Sequence, residues 1–200
     1  MLIHGFVAHS RVNGPGVRAV VYFQGCNLGC DGCWNPSTHA FIGPSHDAAD
    51  VAEQIARAHR TYAIEGVTFS GGEPMQQAPD LLALIRLLKG ARPDLSIGMY
   101  SGYSKRELES ARFGTRCGIE QGTRLQVWGD IKQSLDFAVL GRFVVAKPSK
   151  LPLRTSANQD LHLFSDRYNA EHFKPLEFEI QIESGGLVQI TGFPLAGLPV

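Results

Sequence analysis

Apolar and polar positions alternate or recur along the chain in a way that divides it into short elements. Residues 2–9 and 17–24 read as strands, the second rich in β-branched and aromatic residues. Asn13-Gly14-Pro15-Gly16 between them is a turn by composition. Residues 47–61 have helical spacing, with Val51, Ile55 and Ala58 on one face and Asp47 at the N-cap. Ile64 to Phe69 is a short apolar strand, broken by Ser70-Gly71-Gly72-Glu73-Pro74. Residues 79–89 return to helical spacing, with Leu81, Leu84, Ile85 and Leu88 on one face. Leu95 to Tyr100 reads as a strand ending at Ser101-Gly102-Tyr103, and Ser104 to Ala111 as a short helix. Phe113 to Thr123 is glycine-rich and irregular, and Asp136 to Leu140 is a buried strand closed by Gly141. Near the end, Phe178 to Ile182 and Leu187 to Ile190 flank Glu183-Ser184-Gly185-Gly186, which is a hairpin signal.

The alternation of strand and helix predicts an α/β fold, a mostly parallel sheet with crossover helices. Sites in such sheets form at the C-terminal ends of the strands. The segment after residue 24, the break at 71–74 and the step at 101–103 each follow a strand directly, so all three are expected on one rim. A length of 200 residues at 44% hydrophobic content predicts one domain spanning 1–200. Lysine plus arginine balances aspartate plus glutamate at 19 each, which gives no support for a nucleic-acid or lipid partner. No apolar run is long enough to span a bilayer, and the first residues do not read as a signal peptide. The expected setting is cytoplasmic and reducing, where thiolates serve metals rather than disulfides.

Three of the 4 cysteines, Cys26, Cys30 and Cys33, form Cys-x3-Cys-x2-Cys and are followed by Trp34. Three thiolates can hold three irons of a four-iron cluster and leave the fourth open to a ligand. The competing reading is a structural zinc site completed by His39, His46 or Cys117, although zinc sites more often arrive as paired Cys-x2-Cys units. At Gly71-Gly72-Glu73-Pro74, two glycines let backbone approach a ligand, and the Glu73 carboxylate can accept from an ammonium group. Pro74 fixes the exit. Alone, that tetrapeptide is also an ordinary strand-to-helix turn.

Together the two motifs resemble the radical S-adenosylmethionine superfamily. The resemblance implies an incomplete, TIM-like barrel and one 4Fe-4S cluster on Cys26, Cys30 and Cys33. It further implies S-adenosylmethionine held around Gly32, Cys33, Trp34, Gly71, Gly72, Glu73 and Pro74, with Trp34 beside the adenine. In that family a reduced cluster cleaves the sulfonium, and the resulting 5′-deoxyadenosyl radical takes a hydrogen atom from a substrate.

The flanking runs Asn13-Gly14-Pro15-Gly16-Val17-Arg18, Phe23-Gln24-Gly25-Cys26 and Gly32-Cys33-Trp34-Asn35-Pro36 resemble the glycyl-radical-enzyme activating proteins. Among these, the activators of anaerobic ribonucleoside-triphosphate reductase fit best. Asp136 to Phe143, Leu151-Pro152-Leu153-Arg154 with Asn158-Gln159, and Ile190-Thr191-Gly192-Phe193-Pro194 also fit. The implied substrate is one glycine of a large partner enzyme, and the implied electron donor is of flavodoxin or ferredoxin type. Asn13, Gly14, Pro15, Gly16 and Arg18 become candidate partner contacts, and Tyr103 either lines the adenosyl pocket or packs. Beyond the triple only Cys117 remains, so no ferredoxin-like insert with its own clusters is expected. Asn13 stands where related activators often have aspartate, and Thr155 and Ala157 interrupt an Arg-Gly-Ser-x-Asn-Gln pattern. Two other classes compete: a radical enzyme acting on a small molecule, similar to the 7-carboxy-7-deazaguanine synthases, and a non-enzymatic zinc or iron–sulfur module.

Overall fold

The computed structural model describes residues 1–175, 178–182, 186 and 188–193. A six-stranded sheet carries β1 (Ile3–Ser10), β2 (Arg18–Phe23), β3 (Gly66–Gly71), β4 (Ser96–Ser101), β5 (Phe137–Leu140) and β6 (Asp160–Leu163), in that spatial order. β2 to β5 run parallel, while β1 and β6 pair antiparallel at the two edges. The crossovers contain α1 (Ala48–Tyr62), α2 (Ala78–Ala91), α3 (Lys105–Glu109) and α4 (Gln121–Ser134). A separate antiparallel hairpin, β7 (Phe178–Ile182) and β8 (Val188–Gly192), follows.

Strand alternation sorts the side chains onto two faces. Ala19, Val21, Phe23, Val67, Phe69, Ile97, Met99, Ala138 and Leu140 pack in one core with the apolar stripes of the helices. Val51, Ile55 and Ala58 of α1, the leucines of α2, and Trp128 and Ile131 of α4 join them there. The opposite face carries Tyr22, Ser70 and Tyr100 at the C-terminal ends of the strands and Arg18, Gly66 and Ser96 at the other end. Phe137 and Val139 on that face form a second core with Leu153, Tyr168, Phe173 and Phe193. Parallel strands in sequential order, with the crossover helices on one face, make a partial TIM-like barrel. The edge strands β1 and β6 end the sheet before it closes.

Arg18 departs from the expectation of a partner contact, because it has no exposed surface. Its guanidinium donates to Thr68 Oγ1 at 2.8 Å, to the Val67 carbonyl at 2.8 Å, and to the Ser96 and Pro15 carbonyls at 3.2 Å. It lies 5.0 Å from the centroid of Phe137. Burial pulls its pKa down, and Tyr168 and Glu65 counter that. A cation so enclosed braces the inner face and cannot reach a partner.

The strands and the first two helices fall close to the expected positions, and the Ser104 start is a capping box with Glu107. α4 and β6 were not foreseen. The hairpin strands pair as expected, but residues 183–185 of the turn, like Leu187 and Pro194, lie outside the described residues.

Candidate active site

The rim at the C-terminal ends of β2 to β5 opens into a cavity of about 520 Å³. Cys26, Cys30, Cys33, Trp34, Ser70, Gly71, Gly72, Ser101 and Gly102 all line it, so the three motifs expected on one rim meet.

The cysteine loop leaves β2 at Phe23. Its base is pinned where the Gly25 and Cys26 amides donate to the Thr38 and His39 carbonyls, at 2.7 and 2.9 Å. Gly32, at φ +68°, takes a left-handed conformation that other residues avoid, and turns the chain into Cys33. All three cysteines are free and half-buried. Burial pushes the Cys26 thiol up to about 11, with Glu73, Cys30 and Cys33 adding repulsion, and burial also raises Cys33. A metal centre favours the thiolate form of such thiols. Three soft sulfur donors on one loop, facing one cavity, therefore fit the three protein-held irons of a 4Fe-4S cluster. Of the fourth ligands the zinc reading offered, His39 lines the cavity. Cys117 is exposed and does not line the cavity.

The glycine turn continues the β2–β3 ladder into the cysteine loop. The Gly72 amide donates to the Phe23 carbonyl at 2.8 Å, and the Glu73 amide to the Gly25 carbonyl at 2.9 Å. A Cβ on Gly72 would stand 2.5 Å from the Gly25 oxygen, so this glycine is required by the approach of two protein backbones. Gly71 and Gly72 also face the cavity, as a cofactor contact requires.

Glu73 differs from the expectation of a carboxylate open to an ammonium group. It has no exposed surface. Its oxygens accept from the Met75 amide at 2.9 Å, the Ser101 hydroxyl at 2.8 Å and the Gly102 amide at 2.7 Å. Burial lifts its pKa to about 7 against the pull of those donors and of Arg142. Glu73 thus joins the end of β3 to the end of β4 from behind the cavity wall. Pro74 is buried beside it. Arg142, to which no role was assigned from sequence, extends this brace. It donates to the Gly102 carbonyl, bonds Glu107 at 3.1 Å and covers the Tyr103 ring at 4.8 Å. Tyr103 packs: its hydroxyl accepts from Gln76 and from the Gly114 amide, each at 3.0 Å.

Trp34 lines the cavity with its ring 5.9 Å from Phe143 and 6.4 Å from Phe193. Asn13 also lines it, buried and donating to Ser10 Oγ at 2.8 Å and Thr191 Oγ1 at 2.9 Å. Of the other candidate partner contacts, Gly14 abuts Phe137 and Arg18, and Gly16 abuts Glu65, at the far end of the strands. Tyr22, Tyr100, Thr155, Gln159 and Phe193 also line the cavity, and the sequence assigned none of them a site role. For Tyr22 and Tyr100 a signal existed: each follows a residue that faces the helices, so alternation turns it inward.

A half-barrel whose open rim gathers three cysteines and a glycine turn defines a cluster-binding enzyme domain. The chain belongs to the 4Fe-4S single cluster domain family, of the radical S-adenosylmethionine type, whose family model matches residues 12–162. It is similar to the anaerobic ribonucleoside-triphosphate reductase-activating protein of Salmonella typhi, with 30% identity over 81% of this chain and 98% of that one. The protein of the same name from Escherichia coli strain K12 is 28% identical over 81% and 98%. The pyruvate formate-lyase-activating enzyme of Clostridium pasteurianum is 38% identical over 44% of this chain and 38% of its own. Among solved structures, QueE from Escherichia coli aligns over 52% of each chain at 20% identity and a TM-score of 0.39, a likeness too slight to bear on fold or function.

Proposed function

We propose that this chain activates a glycyl radical enzyme, with anaerobic ribonucleoside-triphosphate reductase as the partner. The observation that carries the reading is the convergence of Cys26, Cys30, Cys33, Gly71 and Gly72 on one cavity, in a chain similar over nearly the full length of relatives named as that reductase's activators. When bound, the cluster supplies the electron that cleaves S-adenosylmethionine, and the radical so released takes hydrogen from the partner's glycine. In this reading Cys26, Cys30 and Cys33 hold the cluster. Gly71 and Gly72 present backbone to the methionine amino group, Trp34 packs beside the adenine, and Gly32 and Cys33 complete the contact. Glu73 and Pro74 hold the turn from behind. Asn13, which lines the cavity, is the residue of the Asn13–Arg18 run that this reading assigns to the substrate segment.

The electron donor in this reading is of flavodoxin or ferredoxin type, the setting is cytoplasmic, and residues 1–200 form one domain. No helix among the described residues is long and apolar enough to cross a membrane.

The test is anaerobic reconstitution with iron and sulfide. The wild-type protein is expected to bind about four irons. With a reductant it should form 5′-deoxyadenosine, and with the reductase it should give the electron paramagnetic resonance doublet of a glycyl radical. Cys30→Ala should lose all three. A Cys30→Ala protein that keeps a full cluster and still forms 5′-deoxyadenosine would show the ligand assignment to be wrong, and stoichiometric zinc without iron would sink the reading altogether.

A further inference from the structure

Residues 141–159 leave the end of β5 as a strap that runs from the cavity onto the cysteine loop. Phe143, Thr155 and Gln159 of the strap line the cavity. Val145 is exposed and packs on Gly32, the residue before Cys33, where an added Cβ would stand 3.4 Å from Val145 Cγ2. The strap is held in shape. The Ala157 amide donates to the Lys147 carbonyl at 2.7 Å, and the Val144 amide to Ser156 Oγ at 3.2 Å. The Asn158 side chain donates to the Arg142 carbonyl at 2.8 Å, and Leu153 is buried in the second core. In a chain of balanced charge, this strap carries Arg142, Lys147, Lys150 and Arg154 and no acid. Arg142 is engaged by Glu107, whereas Lys147 and Lys150 are exposed. The adjoining loop from Gly25 to Trp34 holds one acid, Asp31.

An electron bound for a cluster on Cys26, Cys30 and Cys33 has to enter beside those thiolates, and the strap is exposed cationic surface that touches their loop. A carrier that delivers one electron and departs needs a small, reversible contact. Opposite charge supplies fast encounter without a large apolar seal. The segment that carries the target glycine has to enter the cavity instead, which Val145, Lys147 and Lys150 do not line. We propose that the strap is the docking surface for the electron donor, with Lys147 and Lys150 steering an acidic one-electron carrier of flavodoxin or ferredoxin type onto the contact of Val145 with Gly32. The inference deepens the function proposed above and rests on it. The reduced carrier loses one electron to the bound cluster, and no covalent bond forms or breaks.

The test compares the reconstituted wild-type protein with the double variant Lys147→Glu, Lys150→Glu, using a flavodoxin and a ferredoxin as probes. Binding of each carrier is titrated without turnover, and cluster reduction by the reduced carrier is followed spectroscopically. At low salt the variant should bind the carrier about tenfold more weakly and be reduced by it about tenfold more slowly. Near about 0.5 M salt the two proteins should agree within about twofold, because screening removes the steering. Tm, 5′-deoxyadenosine formation driven by dithionite, and KM for the reductase under dithionite should all stay as in the wild type. Equal carrier binding by both proteins at low salt overturns the inference, as does a wild type that binds neither carrier. A raised KM for the reductase with carrier binding unchanged assigns the strap to the reductase and overturns it too. Wild-type protein that forms no 5′-deoxyadenosine with dithionite overturns the proposed function and this inference together. An active wild type whose carrier binding ignores both lysines overturns this inference alone.

Discussion

Glu73 shows what burial does to a single carboxyl. Three donors favour its charged form, yet the loss of water outweighs them and its pKa rises to about 7. An ordinary glutamate in the unfolded chain titrates near 4.3. Between those values the folded protein binds the proton more tightly than the unfolded chain does. Stability from this group is therefore full below about pH 4 and falls as pH rises, until both states are ionised above about pH 7. The loss across that window is about 4 kcal/mol. Glu73→Gln does not titrate, so urea unfolding from pH 4 to 8 should show the wild-type decline flattened by about that amount. An undiminished decline in the variant would place the titration on another group. The cysteines and glycines were legible because their chemistry is carried by residue type and spacing within one loop. The inward turn of Glu73 was not, since its partners Ser101 and Gly102 arrive from a different strand. Arg18 was illegible for the same reason: Thr68, Ser96 and Phe137 come from three strands.

At the scale of elements, the β7–β8 hairpin is built inside out. Glu179 pairs across the strands with Thr191, and Gln181 with Gln189, and this polar face meets the body of the protein. Glu179 accepts from the Arg11 amide at 3.0 Å, Gln181 donates to the His9 carbonyl at 2.6 Å and Gln189 to the Phe6 carbonyl at 3.3 Å. Ile180, Ile182 and Val188, on the other face, are exposed. Thr191 is the buried anchor, because it alone ties the hairpin to both Asn13 and Tyr22. Thr191→Val keeps the shape but strands the Tyr22 hydroxyl, at a cost of about 1–2 kcal/mol. Amide exchange in β7 and β8 should quicken about tenfold while the parallel strands keep their protection. Unchanged exchange would mean that the two glutamines hold the hairpin without Thr191. The alternation of Phe178 to Ile182 made the hairpin visible, but not which face turns inward, because apolar-inside is the usual case. α4 escaped notice because Gly122 and Gly129 interrupt it and its apolar residues do not form one stripe. β6 is only four residues, Asp-Leu-His-Leu, at a sheet edge, too short for period two to stand out.

Across the whole molecule the two faces of the sheet are held very differently. The helix side is one continuous core from Met1 to Leu140, so the parallel strands and their crossovers are fixed by burial. On the rim, the cysteine loop hangs from its ends. The Gly25 and Cys26 amides anchor its start and the Asn27 amide reaches Gln76 Oε1 at 3.2 Å. Between Asn27 and Trp34 the described backbone bond is a single one, from the Cys33 amide to the Cys30 carbonyl at 3.2 Å. A ligand held by all three thiolates would stabilise the native state by mass action and order this loop above all. Binding at about a hundred times its dissociation constant is worth about 2.7 kcal/mol, or roughly 5–10 °C in Tm for a chain of this size. Anaerobic loading with iron and sulfide should raise Tm by that amount, and chelation should return it. Hydrogen exchange should localise the new protection to residues 26–36, leaving the strands as they were because the helix-side core already fixes them. A fully loaded protein with no rise in Tm, or with protection spread over α4 and the hairpin, would mean that the sheet is not the preformed platform that its two cores describe.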